Sequence, residues 1–246
     1  MTESRTATVS GRRSRTRTVG DRVTARLEKL IVVGDLQAGD RLPSERELAS
    51  ALNVSRASLR EAMHELEAKH LIERRPGRGT TVLPAPEHVT ALYAQVDGKK
   101  REAREVAELR AAVEPRLASF AAMRATGANL IALSDVLAEA NGVATSEESL
   151  RLDLEFHLLI GQAADSALMA SLITLMASWT KSTRALSHAT AHARELSYAG
   201  HCAILDAITT GDTEAAEAAM SAHLREVDEL TQENLGRRRG TSGRRA

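Results

Sequence analysis

Residues 42–60, LPSERELASALNVSRASLR, constrain the chain most, because they encode two short helices with room between them only for a tight turn. Ser44 is placed to cap the first helix, and Glu47 three residues on completes a capping box. Leu48, Ala49 and Leu52 supply a buried stripe. Asn53-Val54 makes the turn, and Ser55 caps the second helix. On that helix Leu59, Ala62, Met63 and Leu66 share one face at helical spacing. Arg56 and Arg60 lie on another face, near the N-terminal end. In a helix-turn-helix, that end of the second helix enters the DNA major groove. An arginine's planar fork can hold guanine O6 and N7, or a phosphate, through two hydrogen bonds. The bland alternative for these residues is a helical hairpin with a solvated basic face.

The flanks favour the DNA reading. Residues 71–75 (LIERR) read as a strand, 76–79 (PGRG) as a turn and 80–83 (TTVL) as a return strand, a basic hairpin behind the second helix. Upstream, Val23, Leu27, Leu30 and Ile31 predict an amphipathic helix ended by Gly34. Over about residues 20–83, the run GDLQAGDRLPSERELASALNVSRASLREAMHELEAKHLIERRPGRGTTV resembles the winged helix-turn-helix of the GntR family of bacterial transcription regulators. The resemblance implies that Arg46, Arg56 and Arg60 meet DNA, with Ser55 and Ser58 beside them. It also implies that the wing tip, Gly77-Arg78, reaches toward the minor groove. His70 stands where the family often has glycine, a departure expected to touch a helix end and not DNA reading.

The remaining 160 or so residues leave room for a second, larger domain. The formal net charge is +0, but its distribution is uneven: residues 101–232 carry 19 acidic against 10 basic groups. That region should be repelled by DNA, leaving contact to the winged module. Aromatic content of 2% argues against a base-stacking platform for single strands or RNA. One cysteine, Cys202, excludes an intrachain disulfide framework and suits a reducing cytoplasm. No apolar run reaches the ~18 residues of a membrane span, and the basic N-terminus lacks the apolar core of a signal peptide. Residues 1–18 read as a disordered basic arm, 84–100 as a linker with a short helical piece near 89–96, and 236–246 as a disordered basic tail.

From residue 101 to 235 apolar residues recur at three and four, predicting helices over 101–124, 128–141, 147–164, 166–186, 189–209 and 213–235. Thr145 with Glu148 forms a capping box signal, and Gly127, Gly142 and Gly211 mark breaks. The fold class is therefore mainly α: a winged helix-turn-helix followed by an antiparallel helical bundle. On the third helix Asp153 and His157, four apart, share a face. Such a pair alone is more often a surface hydrogen bond than a metal site. His201 and His223 lie ten and twelve residues either side of Gly211, so a hairpin there brings them to similar height. One carboxylate and three imidazoles would suit a divalent ion of the Zn, Ni or Mn type.

The order Asp153-x-x-Phe156-His157, His201-x-x-Ile204-Leu205-Asp206-Ala207-Ile208, Gly211-Asp212, His223-Leu224 resembles the FCD domain, the helical effector domain of the FadR subfamily. The resemblance implies that Asp153, His157, His201 and His223 are metal ligands, so an acyl-CoA sensor is not expected. It further implies that Arg110, in the pattern LRxxxE, meets an effector carboxylate. The competing role for Arg110 is an ion pair with Glu114, four residues on. His188 and His192 match nothing in the pattern and read as a polar helix face. Cys202 reads as a packed thiol and Trp179 as core or cavity wall.

These observations predict a homodimeric, cytoplasmic repressor, released from a palindromic double-stranded operator by a small organic acid bound at the metal. The alternative is a regulator for which the metal itself is the signal. A metal-dependent hydrolase lacks a general base beside the ligand set, and a purely architectural DNA protein would not need four polar groups turned into a bundle.

Overall fold

The computed structural model of the chain describes residues 18–84 and 103–242. The arm up to residue 17 and nearly all the linker, including the helical piece expected near 89–96, lie outside the described residues.

Helix α1 (Val19–Val33) opens with a Thr18–Asp21 capping box and closes on Gly34, in the left-handed region at φ 87°. A two-residue strand β1 (Arg41–Leu42), helix α2 (Glu45–Ala51) and helix α3 (Arg56–Ala68) follow. The Ser44–Glu47 box and the Ser55 cap form as the sequence predicts. The wing is β2 (Ile72–Arg75) and β3 (Gly79–Val82), paired antiparallel. β1 joins the other edge of β3, giving the order β1-β3-β2. Two residues are too short to show an alternating pattern, so β1 was not legible in the sequence. Val23, Leu27, Leu59, Ala62, Met63, Leu66, Ile72 and Val82 close the core of this module.

The bundle comprises α4 (Ala103–Arg124), α5 (Gly127–Ala140), α6 (Ser146–Ala163), α7 (Ala167–Ser187), α8 (Ala191–Thr210) and α9 (Thr213–Ser242). Three sequence expectations change. Gly127 is the first residue of α5, capped by Thr126, and not a break. It abuts α1 so closely that a Cβ there would lie 2.6 Å from Asp21 Oδ2. Only half of the Thr145 box forms: Thr145 accepts from the Glu148 amide, but the Glu148 side chain turns to Arg151. The helix expected to end at residue 235 runs to Ser242, into the tail expected to be disordered. Once a helix is nucleated each added residue costs little, and arginine is a good helix former.

Helix α1 belongs to both halves. Its Val23 and Leu27 sit in the winged core, whereas Ala25 is counted in the core of the bundle. Glu28, fully buried, pairs with Lys69, the C-cap of α3, at 2.8 Å and accepts from Asn129 of α5. Lys29 reaches Glu139 at 2.8 Å and Glu155 at 2.9 Å. Thr126 donates to Glu65 of α3 at 2.9 Å. Buried charges of this kind are tolerated only when paired, so the docking geometry is specific.

His70 follows α3 at φ 56°, exposed, in the region that favours glycine. A His70→Gly variant should raise stability by roughly 0.5–1 kcal/mol, relief of left-handed strain exceeding the added chain entropy. Equal or lower denaturant midpoints than the parent chain would contradict this.

Candidate metal centre and DNA-facing surface

Helix α6 presents Asp153 and His157 inward one turn apart, and Leu152, Phe156, Leu159 and Ile160 lock it into the core. The α8–α9 hairpin turns at Gly211, at φ 75°, and brings His201 and His223 to the same level. Each of the four side chains offers one ligand atom within 4.8 Å of the others, and none is more than 3% exposed. The His157, His201 and His223 ring centres lie 4.6–5.4 Å apart. Phe156 stacks on His201 at 4.4 Å and walls the cluster.

This donor set fits a divalent ion on grounds internal to the fold. Both nitrogens of His223 and Nε2 of His157 are buried without hydrogen-bond partners, and His201 Nε2 has only the Asp153 carboxylate beside it at 3.3 Å, which is costly unless something else satisfies them. Burial, reinforced by Arg184, pushes His157 down to about 4. Burial also lowers His201, and lowers His223 well below the usual imidazole range. All three rings are therefore neutral at neutral pH, the form that can act as a ligand.

Four further residues shape the centre. Glu114 of α4, until now only the partner of Arg110, places Oε2 2.6 Å from His157 Nδ1. A carboxylate on Nδ1 fixes the ring so that Nε2 faces a metal. Arg184 of α7 donates to Asp153 Oδ2 at 2.5 Å and to Glu114 Oε1 at 3.1 Å. Nothing local in the sequence singled it out, because the same helix also carries Lys181 and several serines and threonines. Burial alone would raise both carboxylates, but Arg110, His157 and Arg184 outweigh it at Glu114, and Arg184 with His188 and His201 does so at Asp153; both stay ionised. His188 corrects the sequence reading. It is 2% exposed and not on a polar face: Nε2 lies 3.3 Å from Asp153 Oδ1 and Nδ1 2.7 Å from Ser149 Oγ. It caps α7, and the turn into α8 swings it inward. His192 is exposed. Finally, Gly200 gives His223 its space, since a Cβ there would lie 2.6 Å from Nδ1.

Arg110 is buried and donates to Glu114 at 2.8 Å, while its Nη2 has no partner. It lines a groove of about 460 Å³ between α4 and α9, beside Leu224 and Val227. Cys202 packs partly buried against the bundle core, as does Trp179.

On the winged module, Arg46, Arg56, Arg60 and Arg78 are exposed, and among the described residues none is held in an ion pair. Ser55 and Ser58 share the cap of α3, their hydroxyls 2.9 Å apart. Gly77 and Arg78 form the exposed wing tip. Arg74, by contrast, is tied to Glu67 and His64 and braces the wing against α3.

Gly200→Ala should push the His223 ring aside and lower zinc affinity by at least about tenfold, the scale of outer-shell damage at metal sites. Competition with a chromophoric chelator measures it, and unchanged affinity would mean that His223 is not positioned by this contact.

Residues 20–82 match the family described as bacterial regulatory proteins, gntR family, and residues 105–226 match the FCD domain. The chain is 32% identical over 211 residues to the HTH-type transcriptional regulator LutR of Bacillus subtilis (strain 168), covering 82% of this chain and 95% of that one. It is 30% identical over 221 residues to the HTH-type transcriptional repressor NanR of Enterobacter sp. (strain 638), covering 85% and 84%. Among solved structures it is similar to a Streptococcus agalactiae GntR, with 26% identity, a TM-score of 0.48, and coverage of 87% of this chain and 100% of that one. Among the described residues no helix is long and apolar enough to cross a membrane. With a winged helix-turn-helix, an FCD bundle and relatives named as regulators and not enzymes, the chain belongs to the GntR family of DNA-binding transcription regulators, in its FadR-type branch.

Proposed function

We propose that this regulator is a cytoplasmic homodimeric repressor, released from a palindromic operator by a small carboxylic acid bound at a divalent ion in the bundle. The ion would be held by Asp153, His157, His201 and His223, and would be of the Zn, Ni or Mn type. The observation that carries the reading is the charge balance. Among the buried groups around the cluster, Arg110 and Arg184 offset Glu114 and Asp153, and the rings of His157, His201 and His223 are neutral. When bound, a divalent ion adds two positive charges and, with four protein ligands, can leave a position for an anionic oxygen. An anion is then the natural complement in so dry a site. The same excess argues against the bare metal as the whole signal.

Arg110 is assigned to the acid's carboxylate. The unpartnered Nη2 supports this, and the Glu114 contact leaves it free for a second bond. Coupling to DNA is assigned to α6. Glu155 lies between Asp153 and His157 in sequence, is 1% exposed, and is paired with Lys29 of α1. Helix α1 packs in turn on α3. A ligand that shifts α6 thereby biases the placement of Arg56 and Arg60, provided that it binds the two placements with different affinity. Arg46, Ser55, Ser58 and the Gly77-Arg78 tip complete the assigned DNA contacts, and a two-fold dimer matches two half-sites.

Arg56→Ala and Arg60→Ala should each weaken operator binding by roughly 1–3 kcal/mol at fixed salt if the lost contact is bidentate. Mobility shifts on the operator decide this, and wild-type affinity in both variants would remove α3 from the groove. Arg110→Ala should keep its metal and its operator affinity, yet need about ten- to a hundredfold more effector for release, the scale of one charge-assisted contact. An unchanged half-release concentration would leave Arg110 as the partner of Glu114 alone.

A further inference from the structure

Arg56, Arg60 and His64 recur every four residues along α3, and all three side chains are exposed. Each step of four advances about 6 Å and turns about 40° around the helix, so the column drifts sideways as it leaves the N-terminal end. The drift carries His64 to the wing, where Arg74 of β2 donates from Nη2 to His64 Nδ1 at 2.8 Å. The guanidinium is itself fixed: Nη2 also donates to Glu67 Oε2 at 2.7 Å, and Nε to the same oxygen at 2.9 Å. A guanidinium carries only N–H donors and no acceptor. His64 Nδ1 must therefore present its lone pair, so the ring is neutral and its proton sits on Nε2. Among the described residues no hydrogen bond or ion pair occupies that Nε2.

The seam between α3 and β2 is where a DNA strand has to cross. With α3 in the major groove and the wing tip in the adjacent minor groove, the sugar-phosphate strand that separates the two grooves passes between them. The nearby carboxylates do not oppose it there. Glu67 and Glu45 are held by Arg74, and Glu61 turns toward Gly20 of α1. We propose that His64 donates from Nε2–H to a phosphate oxygen of that strand, and that Arg74 is a positioning residue that fixes the ring in the tautomer able to do so. The donor is neutral, so the contact sets register without reading sequence and without releasing a counterion. The inference rests on the placement of α3 in the groove proposed above and adds a contact outside its arginine pair.

The test uses full-length protein and the tightest-binding duplex that the parent chain selects from a random-sequence pool. His64→Ala should weaken binding about threefold to tenfold, the scale of one lost neutral hydrogen bond. The slope of affinity against salt and the ranking of single-base variants of the duplex should not change. In phosphate-ethylation interference, a phosphate between the major-groove and wing contacts should be sensitive with the parent and insensitive with His64→Ala. His64→Gln, whose amide nitrogen reaches the Nε2 position, should bind within about twofold of the parent. Nitrogen NMR of the imidazole in the free parent should show the Nε2–H tautomer, and Arg74→Met should mix the two tautomers. Parent-like affinity in His64→Ala, a salt slope shallower by about one, an altered base preference, or an Nδ1–H ring in the free parent would each overturn the proposal. His64 is exposed, so its variants should fold, and the tautomer measurement on the parent needs no variant. Arg56→Ala and Arg60→Ala measured alongside separate the two levels. Parent-like binding in both removes α3 from the groove, and this inference with it. Weakened binding in those two with His64→Ala unaffected removes the phosphate contact alone.

Discussion

Asp153 sits in an apolar bundle core, and its ionised carboxylate is tolerable there only because Arg184 grips one oxygen at 2.5 Å while His157, His188 and His201 face the other. An unpaired carboxylate at that depth would shed its charge or unfold the bundle. The grip therefore does two things. It fixes the oxygen that points at the imidazoles, and it ties α6 to α7. Glu114 repeats the arrangement on α4, bracing His157 while bridging Arg110 and Arg184. Five of the six bundle helices meet at this cluster, so its electrostatics and the packing of the bundle are one problem.

The same logic extends to the junction with the winged module. α1 carries apolar side chains into both cores, but the register between the modules is set by polar contacts: Lys29 with Glu139 and Glu155, and Glu28, itself paired with Lys69, with Asn129. Desolvation dominates at Glu28 and raises its pKa despite Lys69. A junction made of buried pairs is selective in geometry yet weak in net stability, because desolvation offsets much of the attraction.

Local signals were legible where the chemistry is local. The Ser44–Glu47 box, the Ser55 cap and the Gly34 and Gly211 terminations each depend on residues within a few positions, and all formed. The i, i+4 pair on α6 and the symmetric spacing about Gly211 brought the four candidate ligands into view, since helix rise converts spacing directly into height. What escaped was set by neighbours distant in sequence. Arg184 meets Glu114 across 70 residues. Gly200 matters only because His223 arrives beside it. His188, read as surface, turns inward because α7 ends there and the chain reverses.

The sequence by itself determined which residues are helical, where most helices start and stop, and which side chains could carry charge to DNA or bind a metal, because propensity, capping and periodicity act over a few residues. Only the tertiary structure decided which of those groups share a dry interior. It put Arg184 and His188 beside the candidate ligand cluster and Arg110 on a separate groove, and it made α1 common to both cores. Burial and pairing of charge depend on which helix faces arrive together, and no short-range pattern encodes that.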